Sequence, residues 1–239
     1  PRGHTEFSAR IAKTCAPREI PMLDSITWPA TWTGVLPDAV VAHLPDLALA
    51  AALAWGAGLR LYLVVFLFGL AASLGWWPLP SHLQVLAHPL VLGAAGFMAL
   101  VELFADKLPW LDSLWDALQT FIRIPAGAAL AAGVFGDTGA AAALAAALLG
   151  GTLTATTHFA KSGTRATLNT SPEPFSNAAM SLAEDVAVVG GTWLAVQYPL
   201  LFLCLLLVFL IGAIMLLRLL LRGLRRLLRV LAPRSSHSL

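Results

Sequence analysis

Hydrophobic residues in this chain fall in long blocks rather than in alternation. Between Asp46 and Trp77 a single charge, Arg60, interrupts an otherwise uncharged stretch. Six blocks are legible: A from about 45 to 75, B from 84 to 106, C from 109 to 136, D from 138 to 160, E from 176 to 197 and F from 199 to 217. Blocks of roughly 20 apolar residues meet the length needed to cross a bilayer as a helix. Ala/Leu-rich runs lack the period-2 alternation of a barrel strand. Turn chemistry marks the breaks, with WWPLPSH after A, GDTG after C and Pro199 between E and F. Lys107-Leu108-Pro109 separates B from C, and KSGTRATLNTSPEPFSN separates D from E. The predicted fold is all-α, a polytopic transmembrane helical bundle over 45–217, with a polar extension over 1–44 and a basic tail over 218–239.

Composition agrees. Of 239 residues 58% are hydrophobic and only 12% charged, and the mean hydropathy is +0.78. A soluble domain carries about twice that charged fraction, so most of the surface must face lipid. Cys15 and Cys204 form no disulfide framework and no metal spacing. Residues 1–21 are basic and polar without an apolar core, which does not fit a secretory signal, and Met22 is a candidate start.

The distribution of charge predicts orientation. The A/B and C/D turns hold no lysine or arginine, whereas Lys107, Lys161 and Arg165 lie on the other side. The positive-inside rule places those three, and with six crossings both termini, in the cytoplasm.

Internal similarity suggests tandem hairpins. LPDLALAAALAWGAGLR (44–60) and LPWLDSLWDALQTFIR (108–123) both open on Leu-Pro and close on arginine. GFMALVELFADK (96–107) echoes GTLTATTHFAKS (151–162). These repeats cover 45–107 and 108–165, with a divergent third hairpin over 174–217. Each first helix is predicted to be interrupted, at Gly56 and Gly58 in A and at Pro125 and Gly127 in C. Broken helices in matching repeats mark binding sites in transporters. Close helix packing enriches glycine too.

Arg60 lies about 22 Å into a straight segment A at 1.5 Å per residue, and Arg123 has the corresponding place in C. A charge at that depth costs at least ~2.5–3.5 kcal/mol on the insertion scale, so it must be paired or line a wet cavity. Arg60, Arg123, Lys161 and Arg165 are therefore the candidate contacts for an anionic small molecule or lipid headgroup. Glu102, Asp106, His158, Glu184 and Asp185 are the candidate coupling or ion-pair residues. Glu102 and Asp106 share one helical face, as do His158, Lys161 and Arg165. Asp112-x-x-x-Asp116 is a weak candidate for Mg²⁺ with a diphosphate. His43, His82 and His88 lack metal spacing. No nucleotide-binding loop, zinc protease motif or nucleophile elbow is present. In the tail, Arg218, Arg222, Arg225, Arg226 and Arg229 form one stripe opposite leucines. Such a helix is expected on the inner leaflet against anionic lipid rather than on nucleic acid.

Four stretches carry a family resemblance: GLRLYL (58–63), ELFADKLPWLDSLWD (102–116), HFAKSGTRATLNTSPEPFSN (158–177) and SLAEDV (181–186). Together they resemble the bacterial membrane family known as domain of unknown function 4126, over roughly residues 45–210. The matching positions are Ala105, Asp106, Lys107, Pro109 and Asp112, then Lys161, Arg165, Asn169, Ser171, Pro172 and Pro174, then Ser181, Glu184 and Asp185. The resemblance implies membrane location and fold and supplies no mechanism. The expectation is a small transporter, flippase or channel for an anionic molecule, without a cofactor and with a homo-oligomer left open. A non-transporting membrane scaffold is the first alternative, and a Mg-dependent intramembrane transferase the second.

Overall fold

The computed structural model describes residues 38–106, 109–168 and 174–231. The chain divides between Val41 and Ala42 into two units, and the second of them, Ala42–Leu239, holds the helical bundle. The helices are α1 (Asp38–Ser73), α2 (Pro89–Ala105), α3 (Pro109–Val134), α4 (Ala140–Leu168), α5 (Pro174–Gln197) and α6 (Pro199–Leu231). Short 3-10 turns, Ser81–Ala87 and Gly136–Thr138, precede α2 and α4. The all-α bundle expected from the sequence is what the chain forms.

Among the described residues five helical stretches are long and apolar enough to cross a membrane: Ala42–Ser73, Leu114–Val134, Ala140–Leu168, Phe175–Gln197 and Pro199–Arg226. Block B departs from expectation. It is no straight span but a 3-10 turn joined to α2 across a 65° bend. The cause is local. Pro89 excludes the α region for the residue before it, and His88 sits extended at φ −66°, ψ 133°. His88 then caps α2, its Nδ1 accepting from the Leu90 N–H at 3.2 Å, with proline at the first helical position.

α1 is the axis of the bundle. Two thirds of its span is buried, against a third or less for the other four spans. Ala48, Ala52, Leu53, Ala54, Ala57, Val64 and Phe68 are all at 0% exposure. Small residues let the surrounding helices close on it. Gly58 lies where a Cβ would stand 2.7 Å from the Thr154 carbonyl oxygen of α4, and Gly127 of α3 where one would collide with Thr154 Oγ1. On another side Trp55 packs edge-on against Phe202 and Phe209 of α6, ring centroids 6.0 Å apart in each case. α1 ends in a Schellman motif: the Trp76 N–H reaches the Ala71 carbonyl at 2.8 Å and the Gly75 N–H that of Ala72 at 3.0 Å. Gly75 has φ +71°, which only glycine adopts freely.

The predicted interruptions are realised unequally. α1 breaks at Arg60 itself, at φ −145°, ψ 73°, rather than at Gly56 or Gly58. α3 is one continuous helix through Pro125. α6 runs unbroken from Pro199 to Leu231, so segment F and the basic tail belong to one helix. Leu220 lies against Gly163 of α4, so the leucine face is packed on the bundle at that point.

Candidate functional site

The break at Arg60 leaves carbonyls at the end of the first half of α1 without their helical donors. One of them, Leu59 O, accepts from Lys161 Nζ at 2.8 Å. The guanidinium of Arg60, 2% exposed, enters a cluster fed by five helices. Its Nη1 contacts Asp106 Oδ2 and lies 3.8 Å from Glu102 Oε1. Its Nε lies 3.5 Å from Glu184 Oε2 and 2.9 Å from Asp185 Oδ1. Nη2 donates to the Ser181 carbonyl at 3.2 Å and to Ser181 Oγ at 2.5 Å.

Arg123 sits beside it. Its Nη2 donates to Glu102 Oε1, while its Nη1 lies 3.3 Å from Asp116 Oδ1. Nη1 is also 3.3 Å from His158 Nδ1. An arginine only donates, so Nδ1 is the acceptor and the ring proton belongs on Nε2. That proton meets Thr120 Oγ1 at 2.7 Å, and the Thr120 hydroxyl donates to the Asp116 carbonyl at 2.9 Å. His158 is thus a neutral hydrogen-bonding residue in this state, not an added cation.

Arg165 forms the third knot. Its Nε and Nη2 fork onto Glu184 at 3.1 and 2.8 Å, and Nη2 reaches Asp106 Oδ2 at 3.2 Å. Lys161 Nζ lies 3.3 Å from Glu184 Oε2, 3.7 Å from Glu102 Oε1 and 3.9 Å from Asp116 Oδ1.

The structure therefore gathers Arg60, Arg123, Lys161, Arg165, Glu102, Asp106, His158, Glu184 and Asp185 into a single cluster. All are buried except Asp185, whose side chain is 27% exposed. The five tail arginines, Arg218, Arg222, Arg225, Arg226 and Arg229, are exposed on α6. Lys107 lies outside the described residues, as does the Asp112 side chain.

Two further members are Asp116, expected from the sequence only as a candidate Mg²⁺ ligand, and Ser181. Asp116 was legible in principle, since it stands seven residues before Arg123 and so on the same face. Ser181 bridges Arg60 and Asp106, its Oγ donating to Asp106 Oδ2 at 3.3 Å; only the fold reveals that role. Asp116 is engaged by Arg123, Lys161 and the Ser162 hydroxyl (3.2 Å), which removes one of the two carboxylates proposed for Mg²⁺.

Opposite charges almost balance here. Among the described residues four cations face five carboxylates, Glu102, Asp106, Asp116, Glu184 and Asp185. Asp185 is the least engaged member, and the Arg60 Nε contact is its sole polar interaction among the described residues. Glu102 Oε2 is buried and has no hydrogen-bond partner among them. Both residues line one cavity of about 450 Å³ between α1, α2 and α5.

The family described as domain of unknown function (DUF4126) matches residues 47–219. The chain belongs to the DUF4126 family. No curated protein and no solved structure matches it. The matched region contains the whole charge cluster and only the first two residues of the tail, so the cluster lies within the family's domain rather than in an appended segment.

Proposed function

We propose that this DUF4126 protein, a multi-pass helical membrane protein, is a transport protein of the exchanger type, its buried cluster serving as the coupling element. The observation that carries the reading is Asp185, held among the described residues only by Arg60 Nε, at the place where a buried five-helix charge network meets a cavity. Burying nine charged groups in the bilayer is costly even when they are paired. A scaffold needs only apolar packing, and small-residue contacts already supply that here. A loosely held carboxylate in such a network instead supports two low-energy states, one with a proton on it and one with a cation beside it. A ligand that favours one state shifts the helices bound to it.

The anion role expected for Arg60, Arg123, Lys161 and Arg165 fits this geometry less well. Each of these cations is already held by carboxylates. Arg60 is the only one of the four lining the cavity. The groups facing Asp185 are Arg60 from α1, Glu102 and Asp106 from α2, and Glu184 beside it on α5. Protonation among these carboxylates is the coupling step. The tail arginines, exposed on α6, are proposed to contact anionic headgroups of the cytoplasmic leaflet of a bacterial inner membrane, and with six crossings the N-terminus would share that side.

The test is charge displacement on a solid-supported membrane after a pH step. Wild-type proteoliposomes should give a transient current that Asp185→Asn removes while the melting temperature holds. A current equal to that of empty liposomes, from folded wild-type protein, refutes the coupling role and leaves the scaffold.

A further inference from the structure

The end of α4 and the tail of α6 form an open groove of about 1160 Å³. Helical spacing builds it. Phe159, Gly163 and Ala166 share one face of α4, and Leu217, Leu220 and Leu224 share one face of α6. The two faces meet where Leu220 enters the space left at Gly163, since a Cβ there would stand 2.6 Å from Leu220 Cδ1. Beside that contact the groove stays open, and a Cβ at Gly223 would meet nothing within 4 Å.

Charge is confined to one end of the groove. Of the described residues lining it, Arg222 and Arg226 alone are charged, and both are exposed. Four positions apart, they stand about 5–6 Å from each other at Cβ on one face of the helix. Counted from Ala140 and Pro199, the first residues of α4 and α6, Phe159 and Leu217 lie about 27–28 Å along their helices at about 1.5 Å per residue. Arg222 and Arg226 lie about 35–40 Å along α6 on the same count. A hydrocarbon core is about 30 Å thick. The apolar walls therefore begin at the edge of the acyl region, and the two guanidinium groups reach the level of the headgroups.

We infer that this groove is a binding site for one anionic phospholipid, its phosphate held by Arg222 and Arg226 and its upper acyl chains laid against Phe159 and the α6 leucines. The inference rests on the headgroup contact proposed above for the tail, gives that contact a place and a stoichiometry, and is independent of coupling at Asp185. Guanidinium groups match phosphate oxygens through paired, charge-assisted hydrogen bonds. Two cations with no acidic side chain among the lining residues favour a negative headgroup over a zwitterion, whose ammonium they repel. The lining hydroxyls donate elsewhere, Ser162 to Asp116 Oδ2 at 3.2 Å and Thr167 to the Thr164 carbonyl at 2.6 Å, so the arginines carry the headgroup. A free phosphate would leave the apolar walls bare, and a neutral lipid would leave the arginines unused. An anionic phospholipid satisfies both. Arg218, Arg225 and Arg229 do not line the groove and supply a diffuse attraction to the membrane surface.

The experiment is native mass spectrometry of purified full-length protein in nonionic detergent, titrated with dioleoylphosphatidylglycerol, dioleoylphosphatidylcholine and glycerol 3-phosphate. One phosphatidylglycerol per chain is expected to bind first, with phosphatidylcholine at least fivefold weaker and no glycerol phosphate adduct at the same concentration. Arg222→Gln/Arg226→Gln and Ala166→Trp should each weaken phosphatidylglycerol at least tenfold, the first through charge and the second through volume. Arg225→Gln/Arg229→Gln removes the same charge outside the groove and should weaken it less than threefold. Melting temperatures monitor the fold, and the two arginine pairs decide the matter even if Ala166→Trp does not fold. Equal losses from both pairs overturn the groove and leave the diffuse tail contact standing. Phosphatidylcholine binding as tightly as phosphatidylglycerol, with neither pair changing the affinity, refutes the groove and the tail contact together. Glycerol phosphate binding as tightly as the lipid overturns the lipid assignment in favour of free phosphate. Unchanged phosphatidylglycerol affinity in folded Ala166→Trp overturns the apolar seat.

Discussion

Glu184→Gln tests how the cluster is held together. Glu184 accepts a fork from Arg165 at 2.8 and 3.1 Å, and its Oε2 lies 3.3 Å from Lys161 and 3.5 Å from Arg60. The amide keeps the shape but removes the charge and turns one acceptor into a donor facing guanidinium N–H groups. Removing one partner from a buried ion pair typically costs about 3–5 kcal/mol, because the charges left behind stay desolvated. For a chain of this size that corresponds to a melting temperature lowered by roughly 6–20 °C, at about 2–4 °C per kcal/mol. The assay is thermal unfolding in detergent, followed by far-UV circular dichroism, for wild type, Glu184→Gln, Arg165→Gln and the double variant. The double variant should lose less than the sum of the singles, with a coupling of about 0.5–3 kcal/mol. Additive losses, or a single-variant loss under about 1 kcal/mol, would show that Glu184 does not neutralise the cations around it.

The same geometry sets further outcomes. Arg123→Lys should destabilise by about 2–3 kcal/mol in the same assay, since an ammonium cannot span Glu102, Asp116 and His158 as the planar fork does. Gly58→Ala should cost about 1–3 kcal/mol by overpacking, because the added Cβ meets the Thr154 carbonyl oxygen at 2.7 Å. Gly93→Ala, with nothing within 4 Å, should stay within about 0.5 kcal/mol of wild type. Thr154→Val removes a hydroxyl that donates to Ala54 O at 2.7 Å and Gly150 O at 2.8 Å. A loss of about 1–2 kcal/mol, measured by denaturant or thermal melt, is expected there.

Membrane class, the long blocks and the identity of the charged residues were legible because lipid imposes a one-dimensional rule. A run of about 20 residues without charge must cross as a helix, and a charge inside it must find a partner. That logic was sufficient to single out Arg60, Arg123 and the acids on α2 and α5 from composition and spacing. It could not say that the cations are already neutralised, because Arg60 meets Ser181 and Asp185 more than a hundred residues away, and only packing sets such pairs. Nor could it place the break of α1 at Arg60. The five-sided pull of carboxylates and serine holds that backbone outside the helical region, and Lys161 covers the carbonyl it leaves. Pro125 read as an interruption on local grounds, yet the helix continues through it, while Pro89, part of an apparently plain span, makes the sharp bend. The sequence determined by itself which residues could not remain alone in the bilayer. The tertiary structure decided how they pair, that Asp185 is held among the described residues by Arg60 alone, and which cavity it lines.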